Sequence, residues 1–435
     1  MATKENDKAT QQDASEQESS KGGVVIRALV ILALVVFLAK PYLFKEETTK
    51  DTRQLFKIHG VTMGTTWNAS VVASPETLVA LNLNGVADDS GDKADQPAVS
   101  SCEEFLARLV QRELDKIDLA ASTYRVDSDV SKFNKSESAD WIDVSYDVAK
   151  IVDIALDVSR KTKGAFDVTV APLVNLYRFG PNKSPLAAFP SDEEIEALRA
   201  RVGYEKLEVR LEPTPALKKA DPALTIDLSS VAKGYAVDIA GQKLEELGLN
   251  NYMLEVGGEV RCAGEKFGYE TREPLPWVLG VQKPKAVQQP DDLGKPDVYR
   301  LLRPAGKDSN AALATSGDYN NAAQVGTLTF SHFVDPRSGK PADLADENDD
   351  SPRLGSVSVV SLSCDALSCA QADAFATAFF VLGADEGIPL ANELGVAVLY
   401  VYRFDPAASK IDEKSSETFE KIDSNLADEQ IEPLK

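Results

Sequence analysis

Apolar residues recur at helical spacing in residues 102–119, where Phe105, Leu106, Leu109, Val110, Leu114 and Ile117 fall on one stripe. Residues 145–162 repeat the pattern with Val148, Ile151, Val152, Ala155 and Val158. Ser191 followed by Glu194 predicts a capping box, with Gly203 ending the short helix it starts. Residues 232–247 read as a further helix stopped at Gly248, 371–382 as an apolar helix, and 385–394 as another. Runs of β-branched and aromatic residues predict strands at 66–72, 252–256, 278–282, 330–334, 356–361 and 396–402. Helices and strands intersperse without a regular βαβ beat, which predicts an α+β fold.

The chain opens differently. Residues 1–23 are polar and charged, a composition that predicts disorder. Residues 24–44, VVIRALVILALVVFLAKPYLF, stay apolar over the roughly 20 residues a helix needs to cross a hydrocarbon core. Arg27 can snorkel to one interface, and Tyr42 and Lys45 suit the other. A cleavable signal peptide would use a similar run, but the long polar leader and the lack of an A-x-A site favour a single N-terminal membrane anchor. No Cys directly follows the run, which argues against a lipoprotein anchor. Flanking positive charge is similar on both sides and leaves the orientation open. Residues 45–55 read as a stalk, 56–404 as a globular body and 405–435 as a loose polar tail. Residues 81–100, rich in Asp and Gly, and 284–308, rich in Pro, Asp and Lys, read as surface insertions.

Composition narrows the function classes. The chain of 435 residues is 43% hydrophobic, enough for a substantial core. Its formal net charge of −22 leaves no basic excess to displace counterions, so nucleic acid is not expected as a partner. The two histidines, His59 and His332, cannot build a His-rich zinc centre. The cysteines Cys102, Cys262, Cys364 and Cys369 form no CxxC pair. Cys364 and Cys369 could be bridged in an oxidising compartment, and two separate thiols fit as well.

Asp373 and Thr377 carry the most pointed chemistry. Four residues apart on an apolar helix, they share one face. A buried carboxylate is costly unless compensated, and a hard cation such as Mg²⁺ would compensate it with oxygen ligands. The plainer alternative is an Asp near a helix start and a Thr bonded back to the main chain. In 226–238, Asp227, Ser229 and Ser230 lead a helix with Lys233 in its first turn, a place where anions collect. Serine capping explains the serines but not the lysine, which the helix dipole disfavours there. Gly64 and the Gly-Gly of LEVGGEV read as turns, and Gly164 as a helix C-cap followed by a strand-like run that carries Asp167. His332, in a turn-rich stretch, is a candidate base or a structural residue. No P-loop, GxGxxG, HExxH or GxSxG motif occurs.

Together the strings MGTTW, STYRVDSDVSKFN, GAFDVTVAPLVNLYRFGP, DLSSVAKGYAVD, EVGGEVRCAG, ATSGDY, SHFVDPRSGKP and ADAFATAFFVLG resemble, in order, the FAD:protein FMN transferases, the ApbE-type flavin transferases. The likeness spans residues 63–383. It implies an ApbE-like body of mixed sheets and helices behind the N-terminal helix. It also implies Mg²⁺-dependent transfer of FMN from FAD, the substrate, to a Thr or Ser hydroxyl of a target protein, with release of AMP. By the same likeness, Asp373, Thr377 and the main-chain carbonyl of Ser230 would hold the metal. Met63, Tyr124, Ala165, Phe166, Asp167, Asp227, Lys233 and Val334 would contact FAD, and His332 would be the base. The expected acceptor is a membrane redox subunit. The expected location is the inner membrane, single-pass, with the catalytic body on the periplasmic side. Two rival functions use the same site: a Mg²⁺-dependent FAD pyrophosphatase, and a membrane-tethered FAD-binding protein.

Overall fold

The computed structural model describes residues 51–83, 101–180, 184–268, 273–284, 298–303, 310–317, 322–346, 348–349, 351–363, 368–403 and 412–427. The polar leader, the apolar run 24–44, most of the stalk and Cys364 lie outside these, as do 84–100 and 285–297 of the two insertions and Asp318–Asn321.

Eight strands form the principal sheet: β1 (Gln54–Thr62), β2 (Thr65–Ala73), β3 (Tyr252–Val256), β4 (Glu259–Ala263), β5 (Asn310–Gly317), β6 (Leu354–Ser361), β7 (Ala397–Tyr402) and β8 (Glu413–Ser415). They lie side by side in chain order, and every pair of neighbours is antiparallel. The long connection from β2 to β3 carries α1 (Cys102–Ala121), α2 (Asp129–Lys135), α3 (Tyr146–Lys161) and α4 (Ala232–Glu246). The connection from β6 to β7 is α5 (Cys369–Leu394).

Both faces of the sheet are covered, so its strands bury residues of both parities. In β5, Ala312 and Ala314 join the helical core, whereas Ala311 and Leu313 join the core on the opposite face. The helical core collects the predicted stripe of α1, the Val148–Val158 stripe of α3, and Phe375 and Phe379 of α5 against Trp67, Val71 and Leu254. Each such large side chain, fully buried, contributes about 1.5–3 kcal/mol. The opposite core is closed by Trp277, Leu279, Leu302 and Phe419.

The predicted helices at 102–119, 145–162 and 232–247 are present within two residues at each end. The two apolar segments 371–382 and 385–394 are arms of one helix, α5, kinked at Gly383 (φ 65°, ψ 176°). A left-handed φ is open to glycine, so the kink sits where the sequence allows it. Among the described residues α5 is the one helix long and apolar enough to cross a membrane, yet it is packed inside the protein core.

Several expectations are corrected. The helix started by the Ser191–Glu194 box ends at Arg199, not at Gly203. The chain leaves it in tight turns, and Gly203, at φ 148°, opens the 3₁₀ turn Tyr204–Lys206 instead. The strand expected at 330–334 is Leu328–Ser331. Beyond it Phe333 stacks on Phe380 of α5 rather than extending the ladder. The stalk is shorter than expected, because β1 already begins at Gln54. Within the second insertion, Val298–Leu302 is a strand paired with Leu279–Gln282. The tail is not wholly loose: β8 and the helix α6 (Glu417–Ala427) belong to the body. Phe419 of α6 is buried, and Ser416 exchanges hydrogen bonds with Val398.

Candidate active site

The β1–β2 hairpin closes through Met63 (φ 47°) and Gly64 (φ 73°), between the paired Thr62 and Thr65. Two successive residues at positive φ make the tight turn that suits the strand twist. That turn places Met63 on the wall of a cleft of about 420 Å³. Every site residue singled out from the sequence lines this cleft. A second cavity of about 520 Å³ shares Met63, Tyr124, Asp227, Ser229 and Lys233 with the first, so the two adjoin. Their combined space suits a ligand larger than one nucleotide. Tyr124, 60% exposed, stands in the shared wall.

The floor is built by α4 and α5. Residues 228–232 turn into α4 without any side-chain cap. Ser229 does not cap; its hydroxyl donates to Asp227 Oδ1 at 2.7 Å. The serine-capping alternative is therefore not what the chain adopts, and the start of α4 keeps its anion-binding character. Gly234 allows α4 to touch α5: a Cβ there would lie 2.7 Å from the Cys369 carbonyl carbon and 2.8 Å from Ala370 Cα. At this close approach the Gly234 N–H donates to Asp373 Oδ2 at 3.1 Å, and Lys233 Nζ lies 3.9 Å from Asp373 Oδ1.

Asp373 is 3% exposed. Burial pushes its carboxyl above the ordinary range, opposed by Lys233 and by the Gly234 N–H. Burial also opposes the Lys233 charge. The carboxylates of Asp373 and Glu259 outweigh it and hold the ammonium above its usual range. Neither plain alternative for the Asp/Thr pair holds. Ser368 is the cap of α5, and Thr377 Oγ1 pairs with Ser316 Oγ of β5 at 3.1 Å. The N-terminus of α5 is further fixed by Asp238 of α4, which accepts from the Cys369 and Ala370 N–H groups and pairs with Arg261 at 2.9 Å.

Among the described residues no group of three His, Cys, Asp or Glu gathers as a metal cage. One buried carboxylate beside hydroxyl and main-chain oxygens fits a hard cation that completes its shell with phosphate and water.

The opposite walls come from three segments. After α3, Lys163 (φ 52°) and Gly164 (φ 81°) swing the chain into Ala165–Phe166–Asp167. The Asp167 side chain is spent on the fold: it accepts from Thr169 N and Oγ1 and from Tyr204 N. Burial still pushes its carboxyl up to about 6. The Asp227 N–H donates to the Val168 carbonyl, tying this segment to the start of α4. Asn134 of α2 brackets the Ile226 backbone from both sides, at 2.9 and 2.8 Å. The third segment follows the strand Leu328–Ser331. There the His332 ring lies 4.1 Å from Phe333, which stacks at 3.9 Å on Phe380. A hairpin bridged at Val334–Pro341 completes that wall.

Sequence reasoning missed Glu259. The Gly257–Gly258 hairpin forms as expected. The glutamate after it, however, is 2% exposed, lines the cleft and binds Lys233 at 2.6 Å. A charged residue directly after the Gly-Gly turn, at the head of a strand that buries its side chains, was the available clue. Ser316, Asp238 and Arg261 were likewise without a role in the sequence reading.

Residues 63–400 match the family model described as the ApbE family. A Vibrio cholerae protein named FAD:protein FMN transferase is 33% identical over 348 residues, covering 80% of this chain and 87% of that protein. An Escherichia coli K12 protein of the same name is 31% identical over 383 residues, covering 86% and 92%. The solved structure of the flavin transferase ApbE from Vibrio cholerae shares 31% identity and a TM-score of 0.62, over 85% of this chain and 99% of that one. The apo Pseudomonas stutzeri flavinyl transferase ApbE shares 29% identity and a TM-score of 0.64, over 85% and 97%.

Proposed function

The chain belongs to the ApbE family, and from that premise we propose that it transfers FMN from FAD to a Thr or Ser hydroxyl of a target protein, releasing AMP. The observation that carries the reading is the convergence of Lys233, Asp373, Thr377 and His332 on one cleft. Phosphoryl transfer asks for positioning and charge neutralisation more than covalent chemistry, and this cleft offers both.

The Lys233 ammonium and the uncapped start of α4 attract the pyrophosphate of FAD. Asp373, Thr377 and the Ser230 carbonyl are the groups that would hold Mg²⁺. That ion, when bound, neutralises charge on the phosphates. His332 takes the proton of the acceptor hydroxyl. The oxygen so freed bonds to the FMN phosphorus as the bond from that phosphorus to the bridging oxygen breaks. AMP leaves with that oxygen and its electron pair. The stack of Phe333 on Phe380 fixes the segment bearing His332 against α5, and so against Asp373 and Thr377. Tyr124 offers an exposed ring for the flavin or adenine to stack on.

The apolar run 24–44 supports an N-terminal anchor in the inner membrane, and the transfer reaction favours a body on the periplasmic side. The acceptor proposed with it is a membrane redox subunit.

The test incubates the protein with FAD and Mg²⁺, with and without a candidate acceptor subunit, and follows AMP release and in-gel flavin fluorescence. Turnover only with acceptor, and a fluorescent acceptor band, supports transfer. Rapid FMN and AMP release without acceptor makes it a pyrophosphatase. FAD binding without any turnover makes it a binding protein.

A further inference from the structure

One buried group in the cleft is not used by the transfer reaction above. Glu259 opens β4 directly after the Gly257–Gly258 turn. Its Oε1 is held by Lys233 at 2.6 Å. Its Oε2 is buried and has no hydrogen-bond partner among the other described residues. An unsatisfied buried carboxylate oxygen carries its full desolvation cost. The fold does not ask for a carboxyl here: pairing with Val256 across a Gly-Gly turn serves any strand-forming residue. Holding Lys233 needs one oxygen, which leaves the other without a partner in a residue that lines the cleft.

We propose that Glu259 is a substrate-binding residue whose Oε2 accepts a hydrogen bond from a sugar hydroxyl of FAD adjoining the pyrophosphate. The inference rests on the reading of the cleft as an FAD site. Lys233 marks where the pyrophosphate lies, and Oε2 belongs to the carboxyl that grips Lys233. A phosphate oxygen is no partner for the carboxylate that Lys233 grips, because it only accepts and carries like charge. The donors next to the pyrophosphate are the hydroxyls of the ribityl chain on one side and of the adenosine ribose on the other. The N–H groups of the two ring systems lie a whole sugar or polyol away. Lys233 and Asp373 are the charged groups beside Glu259, and neither offers Oε2 a hydrogen bond.

The test compares the full chain with Glu259→Leu, which keeps the bulk and removes both acceptor oxygens. Affinities for inorganic pyrophosphate, ADP and FAD are measured by calorimetry in Mg²⁺ buffer. Pyrophosphate reports the effect passed through Lys233 alone. FAD affinity is expected to fall roughly tenfold further than pyrophosphate affinity, the size of one lost hydrogen bond to a charged group. If ADP shares that excess loss, the donor is the ribose; if only FAD shows it, the donor is the ribityl chain. Equal losses for all three ligands would overturn the proposal and leave Glu259 as a support for Lys233. Native chain that binds pyrophosphate but not FAD would overturn the FAD reading itself. If Glu259→Leu does not fold, Glu259→Asp, which withdraws the carboxyl by one methylene, takes the same comparison.

Discussion

Asp373 shows how one side chain can be both a liability and a tool. Buried, its carboxylate is tolerated because Lys233 and the Gly234 N–H meet it. Asp373→Ala is expected to abolish Mg²⁺-dependent turnover while the protein still folds, since Lys233 retains Glu259 as its partner. A thermal melt beside the assay separates the two effects, and full activity in the folded variant would remove Asp373 from the metal site. His332 is expected to act on the acceptor rather than on FAD. His332→Asn should lower acceptor flavinylation by roughly 10²–10⁴-fold, with FAD affinity unchanged. Flavinylation and FAD titration on the same preparation decide this, and a collapse of FAD binding would make His332 a binding residue instead. Asp373, Thr377 and His332 stood out in the sequence because each is out of keeping with its neighbours. Glu259 did not, because a Gly-Gly hairpin explained its segment completely.

The decisive element is the pair α4 and α5. Their contact is set by Gly234, where any side chain would meet the Cys369–Ala370 backbone. Gly234→Ala must push the helices apart, since the obstructing atoms are main chain and cannot swing aside. A loss of about 1–3 kcal/mol is expected from overpacking. Activity should fall by more than stability explains, because the same contact holds Lys233 by Asp373. Denaturant titration together with the Mg²⁺ dependence of turnover tests this; an unchanged Mg²⁺ requirement would uncouple the contact from the site. The stripes of α1 and α3 were legible because a 3.6-residue period survives any tertiary context. β5 was not: its NAALATSG has few strand-forming residues, and its place between β4 and β6 holds it extended.

At the scale of the molecule, charge and burial act in the same direction. Burial holds Asp167 at about 6 against an ordinary 3.8. That carboxyl therefore binds a proton more tightly in the folded state than in the unfolded one. Its contribution to stability is full below about pH 4 and is lost as pH rises through about 6. The net charge of −22 adds self-repulsion once the surface acids ionise. The melting temperature, in buffer without divalent cations or FAD, is thus expected to fall by several degrees between pH 5 and pH 8.5. Added salt should recover part of the loss by screening. A melting temperature that climbs over that range would contradict the assignment of Asp167 as a carboxyl that favours the proton.

The sequence by itself determined what depends on near neighbours: the helical stripes, the Ser191 cap, the glycine turns, and the residue types able to handle a pyrophosphate. These follow from contacts a few residues apart, which a linear pattern records. Its eight ordered motifs also carried the family, because a chain that keeps many unusual local choices at once has few other reasons to do so. Only the tertiary structure decided which residues meet. Gly234 and Asp373 stand 139 positions apart, and no periodicity spans that distance. They are joined because an antiparallel sheet in chain order brings the β2–β3 and β6–β7 connections onto one face, where a glycine lets two helices touch. The pairing of half-buried Lys233 with buried Glu259 is a product of that same packing, since desolvation acts only once the chain has closed around the site.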